Sequence, residues 1–282
     1  MKTQQYYQIL SYLIICILVL AIVCVGSGVV LIIVKATAPD HPDAEGHPTD
    51  TEPPVKDTVA EPPSAVMNET SDFGMAYIDK MIFFGESTTS HLSSRGVLTG
   101  GKDTEQVWSE SSGTRTLSSK ITSQTISTPE KVKGLTVVEA CRQEQPDYMV
   151  LSFGLNGIQQ FISSKQSFTD PYQNLISAIQ KASPNTRIIL QSVYPISETN
   201  NTFSVDGLTI DRYILTLNTW LQEIAEANEN VRYCDTASVL RNELNALNPS
   251  YDAGDGVHLT KSAYEQILMY LRTHGWLESS QK

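Results

Sequence analysis

The chain has 282 residues, with 20 basic against 31 acidic side chains and a formal net charge of −11. No basic patch marks it for nucleic acid, whose binding rests on neutralising phosphates. The length allows one or two domains.

Ile9 to Val34 is a run of 26 residues without a charge, dominated by Ile, Leu and Val. At roughly 1.5 Å per residue, a helix of that length reaches about 39 Å. That crosses a bilayer core of about 30 Å with some tilt. A buried core helix of a globular protein would show a polar face, and this run has none. The alternative is a cleaved signal peptide, because Ala36-Thr37-Ala38 has the small-residue pattern of a cleavage site. Against it, the apolar run exceeds the usual ~7–15 residues, and Pro39 would follow the cut directly. Cys16 and Cys24 lack the preceding small residue of a lipoprotein signal. The expectation is an uncleaved single-pass anchor over residues 1–35, meeting the lipid bilayer through residues 9–34. The tail before it is short, so the rest of the chain is expected to be extracytoplasmic. Acidic residues beyond Lys35 add little to that orientation.

Residues 36–72 carry nine acids and one base, Lys56, together with seven prolines. Such a stretch buries too little apolar surface to fold, and its prolines keep it extended. It reads as a disordered linker. His41 and His47 lie within it as solvated side chains, with no metal site read there. Beyond it, Cys141 and Cys234 either pair or remain buried thiols; their spacing fits no zinc pattern.

Residues 73–282 read as alternating strands and helices. Met81–Phe84 is a short apolar strand stopped by Gly85, and Gln106–Trp108 is a second. The stretch from Glu86 to Thr128, rich in Ser, Thr and Gly, is expected to contain long loops, with a helix N-terminus at Ser87. Thr136–Gln143 reads as a helix. Tyr148–Phe153 is a continuous apolar run of the kind found in central parallel strands. Tyr172–Ala182 has helical spacing at Leu175, Ile176 and Ile179. Arg187–Val193 is a strand, and Ile210–Asn228 a long helix. Val231–Cys234 is the last strand, and Ser262–His274 the closing helix. Alternation of this kind implies a parallel sheet covered on both faces, with ligands at the carboxyl ends of its strands.

Three segments carry the chemistry. Phe83-Phe84-Gly85-Glu86-Ser87-Thr88-Thr89 sets a serine at the sharp exit of an apolar strand. Ser87 is therefore a candidate nucleophile, although the same position suits a helix N-cap. It is not in a Gly-x-Ser-x-Gly elbow, since Thr89 stands where the second glycine would be. Gly154-Leu155-Asn156-Gly157 follows the Tyr148–Phe153 strand. Asn156 is either a turn former or an amide donor to a developing oxyanion. Asp255-Gly256-Val257-His258 places a carboxylate three residues before an imidazole. That spacing lets Asp255 fix the tautomer of His258; two metal ligands is the alternative reading, with no third ligand evident. His274 sits in a last helical turn, where a cation suits the dipole, and His91 has no obvious carboxylate partner. Gly113, in Ser111-Ser112-Gly113-Thr114, could add a backbone N–H donor.

These blocks resemble those of the SGNH hydrolases, the GDSL esterase/lipase superfamily, over about Met81 to Trp276. Gly85-Glu86-Ser87 stands for the usual Gly-Asp-Ser. Ser112-Gly113-Thr114 loosely matches the glycine block. Gly154-Leu155-Asn156-Gly157 stands for Gly-x-Asn-Asp, and Asp255-Gly256-Val257-His258 for Asp-x-x-His. The resemblance implies a three-layer, flavodoxin-like α/β fold. It also implies Ser87 as nucleophile, His258 as base and Asp255 as its orienter, with the Ser87 and Gly113 N–H groups and the Asn156 amide as oxyanion hole. The activity implied is a cofactor-free, metal-free serine esterase acting on acyl esters, acetyl esters of a glycan or cell-wall polymer being the first candidate. An acyltransferase with the same triad, or a glycan-binding module without turnover, are the alternatives. Glu86 and Gly157 replace the Asp of two blocks, which puts the support of their loops in question.

Overall fold

The computed structural model describes residues 65–278 except 111, 114, 203 and 206. The expected anchor at residues 9–34, and residues 36–64 of the expected linker, lie outside the described residues. Among the described residues, no helix is long and apolar enough to cross a membrane.

Among the described residues, seven strands occur in chain order: β1 (Met81–Gly85), β2 (Val107–Trp108), β3 (Tyr148–Ser152), β4 (Arg187–Gln191), β5 (Ser204–Val205), β6 (Leu208–Thr209) and β7 (Val231–Cys234). β5 and β6 form a separate two-stranded antiparallel ribbon. The other five make one parallel sheet in the order β2-β1-β3-β4-β7. Counting only those five strands, the order is 2-1-3-4-5, that of the flavodoxin-like doubly wound sheets.

The strands alternate their side chains between two cores. Phe84, Met149, Leu151, Ile188, Leu190, Val231 and Tyr233 face one core, shared with the helices Val137–Glu144, Lys165–Ala182 and Ile210–Glu226. Phe83, Val150, Ile189 and Cys234 face the other, shared with Leu92 and with Tyr264, Ile267 and Leu271 of the helix Lys261–Thr273. Helices on both faces bury every residue of β3, as its unbroken apolar run requires. Cys141 and Cys234 are buried free thiols in opposite cores, so the sheet separates them.

Two expectations need correction. Residues 65–72, assigned by composition to the linker, belong to the folded unit. Met67 N–H donates to the Tyr233 carbonyl at 2.8 Å and Tyr233 N–H to the Ala65 carbonyl at 2.7 Å. Ala65-Val66-Met67 is apolar and covers the β7 edge that would otherwise stand unpaired; Asp72 then clamps Arg272 at 2.6 Å. Also, the helix expected from Tyr172 begins at Lys165, with Pro171 inside it.

Candidate active site

Strand order reverses beside β1, with β2 on one side and β3 on the other. The strand ends at such a switch point splay apart and leave a crevice. Ser87 leaves β1 there, and Asn156 leaves β3. At Gly85 the helix Ser87–Ser94 passes so close that a Cβ would lie 2.1 Å from Thr89 Oγ1 and 2.4 Å from the Ser152 carbonyl oxygen. Only glycine permits that exit.

Ser87 is the first residue of the helix, and Glu86 is its N-cap. The N-cap reading of Ser87 therefore fails. As a first-turn residue its N–H has no intrahelical acceptor and lies at the positive end of the helix dipole. Its Oγ stands 3.2 Å from His258 Nε2. On the other side of that ring, Nδ1 meets Asp255 Oδ2 at 2.6 Å. The Asp255 Oδ1 accepts the backbone N–H groups of His258 at 2.8 Å and Val257 at 3.0 Å. The His258 side chain first, then these two N–H groups, hold the Asp255 carboxyl well below the ordinary carboxylate range. An ionised Asp255 takes the Nδ1 proton, which leaves the Nε2 lone pair facing the Ser87 hydroxyl. Both ring nitrogens are engaged by protein groups, which argues for a triad over a pair of metal ligands. Among the described residues, no three His, Cys, Asp or Glu side chains gather into a metal-sized cluster.

The loop bearing the base is shaped by Asp252, whose Oδ1 accepts Gly254 N–H at 2.8 Å and Gly256 N–H at 2.9 Å. Gly256 has φ 76°, and a Cβ there would lie 2.3 Å from both Asn200 Nδ2 and Ser197 Oγ. Asn200 Nδ2 in turn donates to the Asp255 carbonyl at 2.8 Å.

Asn156 projects into the same crevice. Its backbone is not left-handed; the positive φ values fall on Gly154 and Gly157. The turn is therefore made by the glycines, and Asn156 is free to serve with its side chain. One Nδ2 proton is held by the Arg115 carbonyl at 3.1 Å, and the second remains for the cleft that Asn156 lines. Gly113 lies beside Ser87, its Cβ direction ending 3.9 Å from the Ser87 Cβ. Its N–H, however, donates to the Glu110 carbonyl at 3.3 Å within a tight turn. The structure thus brings Ser87, His258, Asp255, Asn156 and Gly113 together, with the Gly113 N–H engaged by the Glu110 carbonyl. His274 is elsewhere, stacked on Tyr270.

Glu86 entered the sequence reading only as a departure that bears on loop support, and Arg115 did not enter it. Glu86 is 4% exposed; its Oε1 accepts Leu155 N–H and its Oε2 accepts Asn156 N–H, each at 2.9 Å. Burial pushes its carboxyl up to about 7 against the pull of those N–H groups and that of Gly154. The Gly-Glu-Ser departure from Gly-Asp-Ser was the available signal. Arg115 is buried, with its guanidinium 4.8 Å over the Phe84 ring and one nitrogen on the Thr125 carbonyl at 3.0 Å. It fixes the segment whose carbonyl holds Asn156.

The cleft has a volume of about 870 Å³. Ser90, Ser109, Glu110, Ser112, Thr116 and Thr128 line it beside the residues above, and among the described residues Val257 is its one aliphatic side chain.

A serine, a histidine and an aspartate thus stand in one relay at the switch point of a 2-1-3-4-5 sheet. A family model, GDSL-like Lipase/Acylhydrolase family, matches residues 83–266, and the chain belongs to that family. Several solved structures are similar to part of the chain. A protein from Slackia heliotrinireducens assigned as an SGNH hydrolase has 16% identity and TM-score 0.48, covering 69% of this chain and 98% of that one. A GDSL-like lipase from Bacteroides thetaiotaomicron has 20% identity and TM-score 0.43, covering 68% and 86%. A carbohydrate esterase family 3 protein from Talaromyces cellulolyticus has 13% identity and TM-score 0.42, covering 67% and 92%. No curated protein sequence matches the chain.

Proposed function

We propose that this protein is a serine esterase that removes short acyl groups, acetyl first, from a carbohydrate or cell-wall glycan. The observation that carries the reading is the continuous relay from Asp255 through His258 to Ser87. Ser87 Oγ attacks the ester carbonyl as His258 Nε2 takes its proton, and the imidazolium is held by Asp255. The carbonyl oxygen, now an anion, is met by the Ser87 N–H and the Asn156 amide. His258 returns the proton to the departing alkoxide, and a water molecule then releases the acyl group by the same route.

The cleft supports the substrate class. Among the described residues, Val257 is the cleft's one aliphatic lining side chain, and its Ser, Thr and Glu groups suit a polyhydroxylated alcohol. The apolar run at residues 9–34 fits a membrane anchor that holds the domain outside the cytoplasm, where such polymers lie.

The test is a folded Ser87→Ala protein assayed on acyl esters of increasing chain length and on acetylated glycans. Expected is loss of turnover, with the wild type preferring acetyl. Wild-type turnover by the variant would end the serine-esterase reading. Product analysis with and without a polyhydroxylated acceptor separates hydrolysis from acyl transfer.

A further inference from the structure

His91 is a partly buried titratable residue that the triad does not use. It lies one helical turn after Ser87, on the same face of the helix Ser87–Ser94. Its ring rests against that of His258, with centroids 4.6 Å apart and planes at 41°. Its Nδ1 is buried without a hydrogen-bond partner, and both rings line the cleft.

We propose that His91 is a positioning residue: its imidazole ring is the wall that aims the His258 ring at Ser87 and accommodates that ring as it becomes cationic. The proposal rests on the serine-esterase reading above. His258 gains a proton as Ser87 attacks. The face of a neutral aromatic ring attracts such a cation, whereas a protonated His91 would set a like charge about 4.6 Å away. The charged groups around His91 are Arg95 on its own helix, His258 and Asp255 on the base loop, and Glu110 on the cleft wall. Lys102 and Asp103 belong to the short turn Gly101–Asp103 packed on that helix. Burial first, then the charges of His258 and Arg95, hold the His91 imidazole below its usual range, with Asp255 pulling the other way.

The experiment uses the full chain and needs no knowledge of the natural substrate. A fluorophosphonate reacts with Ser87: the Oγ–P bond forms, the P–F bond breaks, fluoride leaves and His258 takes the Oγ proton. The rate of this labelling is measured against pH for the wild type, His91→Ala, His91→Phe and His91→Lys, each checked for folding by thermal melting. His91→Ala is expected to slow labelling about tenfold, and His91→Phe to restore most of it, because the ring and not its nitrogens forms the wall. A fixed cation at that distance is worth about one pKa unit or more on His258. His91→Lys should therefore move the acid limb about one unit lower. A folded His91→Ala protein that labels at the wild-type rate would overturn the proposal, as would a folded His91→Lys protein with an unmoved acid limb. Should His91→Lys not fold, the Ala and Phe pair decides. If Ser87 of the wild type does not label at all, the esterase reading itself fails and this proposal falls with it.

Discussion

Replacing Glu86 by Gln tests how the nucleophile turn is tied to the oxyanion loop. Both Glu86 oxygens accept backbone N–H groups, from Leu155 and Asn156, at 2.9 Å. Gln keeps one acceptor and turns an NH2 group toward the other N–H, which is left buried and unpaired. That costs about 1–3 kcal/mol. The pH dependence gives a sharper test. Glu86 is fully buried, and its carboxyl is raised from the ordinary 4.5 to about 7. Between those values the folded protein holds a proton that the unfolded chain has released. The stability this confers is complete below about pH 4.5 and is lost as pH rises through about 7. A shift of that size corresponds to roughly 3 kcal/mol. Gln cannot ionise, so the stability difference between wild type and Glu86→Gln should shrink steadily from pH 5 to pH 8. Denaturant unfolding of both proteins at four or five pH values reads this directly. A difference that stays constant over the range would refute the buried, proton-holding carboxyl, whatever the variant does to activity.

Asn156→Ala should lower the acylation rate by about 10²–10³, the usual loss for one oxyanion donor, with substrate binding little changed; rapid-quench measurement beside a thermal melt checks both. A destabilised variant with full turnover per folded molecule would return Asn156 to the role of a turn residue. Gly85→Ala should cost about 1–3 kcal/mol in thermal stability as an overpacked site, because the added Cβ meets the Ser152 carbonyl of a central strand that cannot move aside. An unchanged melting temperature would remove the close approach from the argument.

The central strands were legible because burial on both faces leaves an unbroken apolar run, as in Tyr148–Ser152. The three blocks were legible because each follows a strand end or carries its partner within three residues. The helix Ser87–Ser94 was legible only at its start, as the helix N-terminus expected at Ser87; its extent was not. Leu92 is its one strongly apolar residue, so it has no hydrophobic period to read. It is held instead by Ser90 and Ser93 hydroxyls bonded back to carbonyls one turn earlier, and by the Tyr264 hydroxyl on the Thr88 carbonyl at 2.7 Å. Pro171 similarly hid the first turns of the helix Lys165–Ala182, since proline inside a helical pattern reads as a boundary. The partners of Glu86 are backbone N–H groups some seventy residues away, and backbone leaves no mark in a sequence. The turn that takes up the Gly113 N–H depends on the local path of the chain, which a loose Ser-Gly-Thr match does not specify.

The two departures from the family's blocks meet in one place. Glu86 reaches from the nucleophile turn to the loop after β3, and Gly157 closes that same loop. At φ 87° a side chain on residue 157 would be strained, and its Cβ would press on Thr116 Cγ2 at 3.0 Å. Thr116 follows Arg115, whose carbonyl holds the Asn156 amide. The residue that replaces an aspartate in one block therefore anchors the loop from within the core, while the glycine in the other lets the 115–116 segment close over it. Asn156 is gripped on both sides: its backbone by a carboxyl beside the nucleophile, its side chain by the segment packed against Gly157. An oxyanion donor needs this kind of restraint, because its worth lies in being aimed before charge develops. The loop is thus held in an order of partners that keeps the donor's position tied to Ser87 rather than to the surface.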